Sequence, residues 1–77
     1  MTIKNVNLKE FWNDMISSIE TIESYINWGK NTDEEDFYLN RGLEQESKRI
    51  SIKYLVNSSE IYDLLLHEVR RQGLTVF

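Results

Sequence analysis

The stretch Arg49-Ile50-Ser51-Ile52-Lys53-Tyr54-Leu55-Val56 decides the fold. Read with a period of two, polar and apolar side chains alternate through most of it, and β-branched residues are frequent, as in a strand. In that reading Leu74-Thr75-Val76-Phe77 supplies a second strand. The fold is then α+β, with strands near 49–56 and 74–77. Read with a period of 3.6, Ile50 and Tyr54 join Leu39 and Leu43 in one stripe, while Phe37, Ile52 and Leu55 form a second stripe away from it. The fold is then mainly α.

The surroundings favour the helix. Asp33, Glu34, Glu35 and Asp36 open the region, and Lys48, Arg49 and Lys53 close it, which is the order the helix dipole prefers. Glu44 and Lys48 form a favourable i,i+4 pair. Gly42 lies inside and costs about 1 kcal/mol relative to Ala, so the helix is either continuous or broken there.

Three capping boxes predict three helix starts: Asn7-Leu8-Lys9-Glu10, Thr32-Asp33-Glu34-Glu35 and Asn57-Ser58-Ser59-Glu60. Val6 with Phe11, and Val56 with Ile61, add hydrophobic staples to two of them. Gly29 after Trp28 and Gly73 after Arg70-Arg71-Gln72 predict stops, with Leu74 folding back toward Val69. The expectation is a single small domain over 1–77. It is a compact three-helix bundle with helices at about 8–28, 33–55 and 58–72.

In the first helix, Leu8, Trp12, Met15, Ile19, Ile22 and Ile26 step by four and three, and Phe11 and Ile16 widen the stripe to an arc of about 140°. Trp28 falls off this stripe. It either closes the helix end against a loop or stands exposed as an interface anchor. In the third helix, Ile61, Tyr62, Leu64, Leu65, Leu66 and Val69 cover about 200°, more than a chain this short is expected to bury alone. Self-association, as a dimer, is therefore expected, with Tyr62, Leu64 and Leu65 at the interface. Glu68 lies within that arc, either at its rim in water or paired with a base across an interface.

Composition narrows the chemistry. Of 77 residues none is Cys and one is His, so thiolate metal sites, disulfides, multi-histidine sites and most His-based triads are excluded. No phosphate-cradling, zinc-protease or nucleophile-elbow motif occurs. His67 reads as a surface residue. The Asp33–Asp36 run reads as a solvated helix start, because consecutive acids on a helix radiate apart and do not converge on a metal. No enzyme activity, metal or cofactor is expected. Met1–Trp12 lacks a basic segment followed by a long apolar one, and a cytoplasmic location is expected, the host cytoplasm if the gene is viral. Ala and Pro are absent while Phe, Tyr, Met, Ile, Asn and Lys are abundant, a bias that points to an AT-rich genome such as that of a phage or mobile element.

The net charge of −4 is unevenly spread: residues 1–47 hold ten acids and four bases, residues 48–77 three acids and five bases. The expected function is a small protein-interaction module that regulates or inhibits a larger partner with a basic surface. Trp28, Asp33, Glu34, Glu35, Asp36, Tyr62, Leu64, Leu65 and Glu68 are its candidate contacts. The rival is a DNA-binding regulator or antitoxin-like protein using Lys48, Arg49, Lys53, Arg70 and Arg71, although nucleic acid suits so acidic a chain poorly.

Overall fold

Asn7 opens the first helix, its side-chain oxygen accepting from the backbone N–H of Lys9 (3.0 Å) and Glu10 (3.2 Å). The computed structural model describes residues 7–75 and contains three helices: α1 (Leu8–Thr32), α2 (Glu35–Tyr54) and α3 (Ser58–Arg71). The mainly-α three-helix bundle is therefore the fold. Asn57 caps α3 as expected, accepting from Ser59 N–H (2.9 Å). Gly73 ends it at φ 72°, and Leu74 N–H donates back to the Val69 carbonyl (3.1 Å).

The strand reading fails. Residues 49–54 are the last turns of α2, and Leu74 and Thr75 form no strand; Val76 and Phe77 lie outside the described residues. The alternation that suggested a strand resolves at helical spacing. Ile50 is buried, Tyr54 packs half-buried on the same side, and Ile52 points to solvent.

Two further expectations are corrected at the α1–α2 junction. Gly29 does not end α1, which runs on to Thr32, and the box at Thr32 does not cap α2. Thr32 stays helical and its hydroxyl donates back to the Trp28 carbonyl (3.1 Å). Asp33 turns the chain at φ 63°, and Glu34, without a side-chain cap bond, precedes α2. Gly29 has a steric role instead: a Cβ there would meet Glu35 Cα at 2.8 Å, so the glycine lets α2 start against α1. Gly42 does not break α2. It lies under the Tyr25 ring, which a Cβ would meet at 3.0 Å.

From this tight turn α1 and α2 run antiparallel along their length. Gly29 lies by Glu35, Tyr25 by Gly42, Ser18 by Glu46 and Asp14 by Tyr54. The core is Phe11, Met15, Ile19, Ile22 and Ile26 of α1, Leu39, Leu43 and Ile50 of α2, and Ile61, Leu65 and Val69 of α3. Two polar ties cross the α1–α2 seam. Ser18 Oγ donates to Glu46 Oε1 (2.8 Å), and Arg49 Nη2 donates to Ser18 Oγ (2.7 Å) and Glu46 Oε1 (3.0 Å). Nearer the N-terminus of α1, Asp14 accepts from the Tyr54 hydroxyl and pairs with Lys53 (2.8 Å), which also reaches Glu10 (3.1 Å). No buried side-chain N or O among the described residues lacks a hydrogen-bond partner. The molecule is elongated, 41 × 18 × 16 Å, and α1 and α3 approach one another least.

Candidate functional site

Helix length determines which surfaces stay open. α1 has 25 residues and α3 only 14, so α3 cannot cover all of α1. Two exposed surfaces lie along α1, and their tryptophans, Trp12 and Trp28, are about 24 Å apart at a rise of about 1.5 Å per residue.

The first lies at the α1–α2 turn. Because α1 continues past Gly29, Trp28 sits on a helix flank and not at a helix end, and it is 60% exposed. It lines a shallow open depression with Thr21, Ser24, Tyr25 and Tyr38. Phe37 is also exposed, and its ring meets Tyr38 edge-on with centroids 5.2 Å apart. Asp33, Glu34, Glu35 and Asp36 surround a neighbouring depression with Gly29 and Lys30. None of these four carboxylates has an ion pair or side-chain hydrogen bond within the described residues. Among those residues no group of three or more His, Asp or Glu is placed to hold a metal ion.

The second surface is the groove between α1 and α3, with a volume of about 310 Å³. Trp12, Met15, Ile16, Ile19 and Glu20 line one wall, and Leu64, His67, Glu68 and Gln72 the other. Leu8, Trp12 and Ile16 belong to the α1 stripe whose spacing predicts that it faces the bundle, yet they are 62%, 56% and 57% exposed. They sit at the edge of an arc too wide for two short neighbours to cover. The breadth of that arc was the available signal, and reading it as bundle-facing missed all three residues.

The candidate contacts of α3 divide. Leu64 is 43% exposed at the groove, but Leu65 is 0% exposed in the core, so it is a packing residue and presents no surface. Tyr62 is half-buried and its hydroxyl donates to Asn40 Oδ1 of α2. Glu68 is held by its own helix: Arg71 forks onto both carboxylate oxygens, and the Gln72 amide donates to Oε1 (3.0 Å). Arg71 first, and then Gln72, lowers the Glu68 carboxyl to about 2. That carboxylate is therefore committed within the chain.

The cations of the DNA-binding alternative are largely committed too. Arg49 pairs with Glu46, Lys53 with Asp14 and Glu10, and Arg71 with Glu68. Lys53 is raised by Asp14 first and then Glu10, and Asp14 is lowered by Lys53 and then Tyr54. Lys48 borders a polar depression between α2 and α3, and Arg70 lies beside Asp36, Leu39 and Tyr62. Lys48 and Arg70 therefore line different depressions. No helix among the described residues is long and apolar enough to cross a membrane.

The chain matches no protein-family model, no curated protein and no solved structure, so the functional reading rests on the residues themselves.

Proposed function

We propose that this chain is a small non-catalytic protein-interaction module that regulates or inhibits a larger protein by docking a basic segment of it at the α1–α2 turn. One observation carries the reading: Trp28 and Phe37 are exposed next in the chain to a depression where four carboxylates outnumber the single Lys30, and none of the four forms an ion pair within the described residues. Unpaired acids attract a cationic segment over several ångströms and speed its encounter. An exposed indole then holds Lys or Arg side chains by cation–π contact and supplies the buried area typical of an interface anchor. The commitment of Arg49, Lys53 and Arg71 to internal carboxylates weighs against phosphate binding.

The test is binding of a Lys/Arg-rich peptide, with a Gln-substituted peptide as control. The basic peptide is expected to bind, with affinity falling as salt rises. Trp28→Ala should weaken it about tenfold or more, as should Asp33→Asn with Glu34→Gln and Asp36→Asn. Equal binding of both peptides, or indifference to both variants, would remove the basic-segment reading. Duplex DNA binding that falls steeply with salt would replace it with the nucleic-acid alternative.

A further inference from the structure

The edge of α1 beside the groove is not used by the docking surface at the turn. Leu8, Trp12 and Ile16 recur every four residues there and stay exposed, with Leu64 of α3 alongside. The same flank carries Lys9, Glu20 and Glu23, none of which has an ion pair in the described structure. Lys9 lies seven residues before Ile16, and Glu23 seven after. At about 100° and 1.5 Å per residue, Lys9, Glu20 and Glu23 fall within about 60° of one another around α1. Lys9 and Glu23 then stand about 10 Å on either side of Ile16.

That pattern is complementary to itself when reversed. We propose that a second copy of this chain covers the groove, its α1 antiparallel to the first about a twofold axis at Ile16. The axis places Ile16 against the partner's Ile16 and brings Lys9 to the level of the partner's Glu23. The partner's Glu20 is one turn away, and symmetry makes the contact twice. Trp12 and Leu64 of each copy close over the partner's α1 and leave water. A parallel pairing would oppose Lys9 to Lys9 and Glu23 to Glu23, so the charges select the antiparallel one. Among the candidate occupants of this apolar strip, a second copy is the one that also accounts for the placement of the three charges. The interface is centred at Ile16, about 18 Å along α1 from Trp28, and does not rest on the basic-segment reading.

Sedimentation equilibrium of the full chain at low salt, from about 1 to 500 µM, tests it. The wild type is expected to form a reversible dimer. Ile16→Glu, at an exposed position, should be monomeric throughout with unchanged helical circular dichroism. Lys9→Glu and Glu23→Lys should each weaken the dimer about tenfold, and their equimolar mixture should recover wild-type strength, because the mixed pair restores both opposite-charge contacts. A wild-type monomer across the range would overturn the proposal and leave the groove to an apolar segment of another protein. So would a dimer that survives Ile16→Glu, one abolished by Trp28→Ala, or a mixture no stronger than its components.

Discussion

Two tryptophans stand exposed on α1, and they sit in opposite surroundings. Trp12 borders an apolar groove walled by Ile16 and Leu64, and on the same flank Lys9 and Glu23 stand seven residues on either side of Ile16. Trp28 lies in an open aromatic depression neighbouring the Asp33–Asp36 carboxylates, which form no ion pair within the described residues. Side-chain type alone does not say what a surface binds; the sign and symmetry of the surrounding charge do. Mixed charges that reverse onto themselves suit a second copy, and charges of a single sign suit a partner of the opposite sign.

The largest expected effect separates neighbours on α3. Leu65→Ala should cost about 2–5 kcal/mol in urea unfolding, because it empties a fully covered site. Leu64→Ala should cost under about 1 kcal/mol in the monomer, because its side chain already meets water. Equal losses would mean the groove is closed in solution.

The turn can be stressed without touching the groove. Gly29→Ala should destabilise by about 1–2 kcal/mol, since its Cβ collides with backbone at Glu35, and the gain in helix propensity offsets only part of that. Self-association should be unchanged. Leu55 offers a smaller effect of opposite sign: it is non-glycine at φ 55° and 91% exposed, so Leu55→Gly should stabilise by about 0.5–1 kcal/mol in thermal unfolding.

The smallest effect is electrostatic. Asp14 has a lowered folded pKa, held down by Lys53 and then by Tyr54. Its contribution is present above the unfolded value near 3.8 and is lost as pH falls through the lower folded value. Asp14→Asn should therefore flatten the acid limb of stability below about pH 4, read as the urea midpoint against pH.

Sequence exposes what is local. Asn57 and Gly73 bracket α3 through their own caps, and the dipole order of the acids and bases of α2 outweighs the alternation at 49–56. Gly29 is misread, and Gly42 is left open between a continuous and a broken helix, because their reasons are tertiary: one admits the Glu35 backbone of the next helix, the other the Tyr25 ring. Leu64 and Leu65 share one apolar arc, and only the placement of α1 and α2 decides which is covered. The pairing of Lys53 with Asp14 is equally unreadable, since it depends on the register of two helices. The acidic run and Trp28 were legible as candidates because exposure of charge and of off-stripe aromatics follows from helical spacing. The groove was signalled only by the breadth of the α1 arc, because how closely α3 approaches Trp12 and Ile16 is set by tertiary packing.

The most direct test gives each tryptophan its own signal. Trp28→Phe leaves Trp12 as the sole emitter, and Trp12→Phe leaves Trp28. On dilution through the micromolar range Trp12 emission should shift to the red as the dimer parts, while Trp28 stays constant; on titration with the Lys/Arg-rich peptide, Trp28 should respond and Trp12 should not. Two tryptophans responding alike to both treatments, or neither responding to either, would contradict the assignment of two surfaces to two kinds of partner.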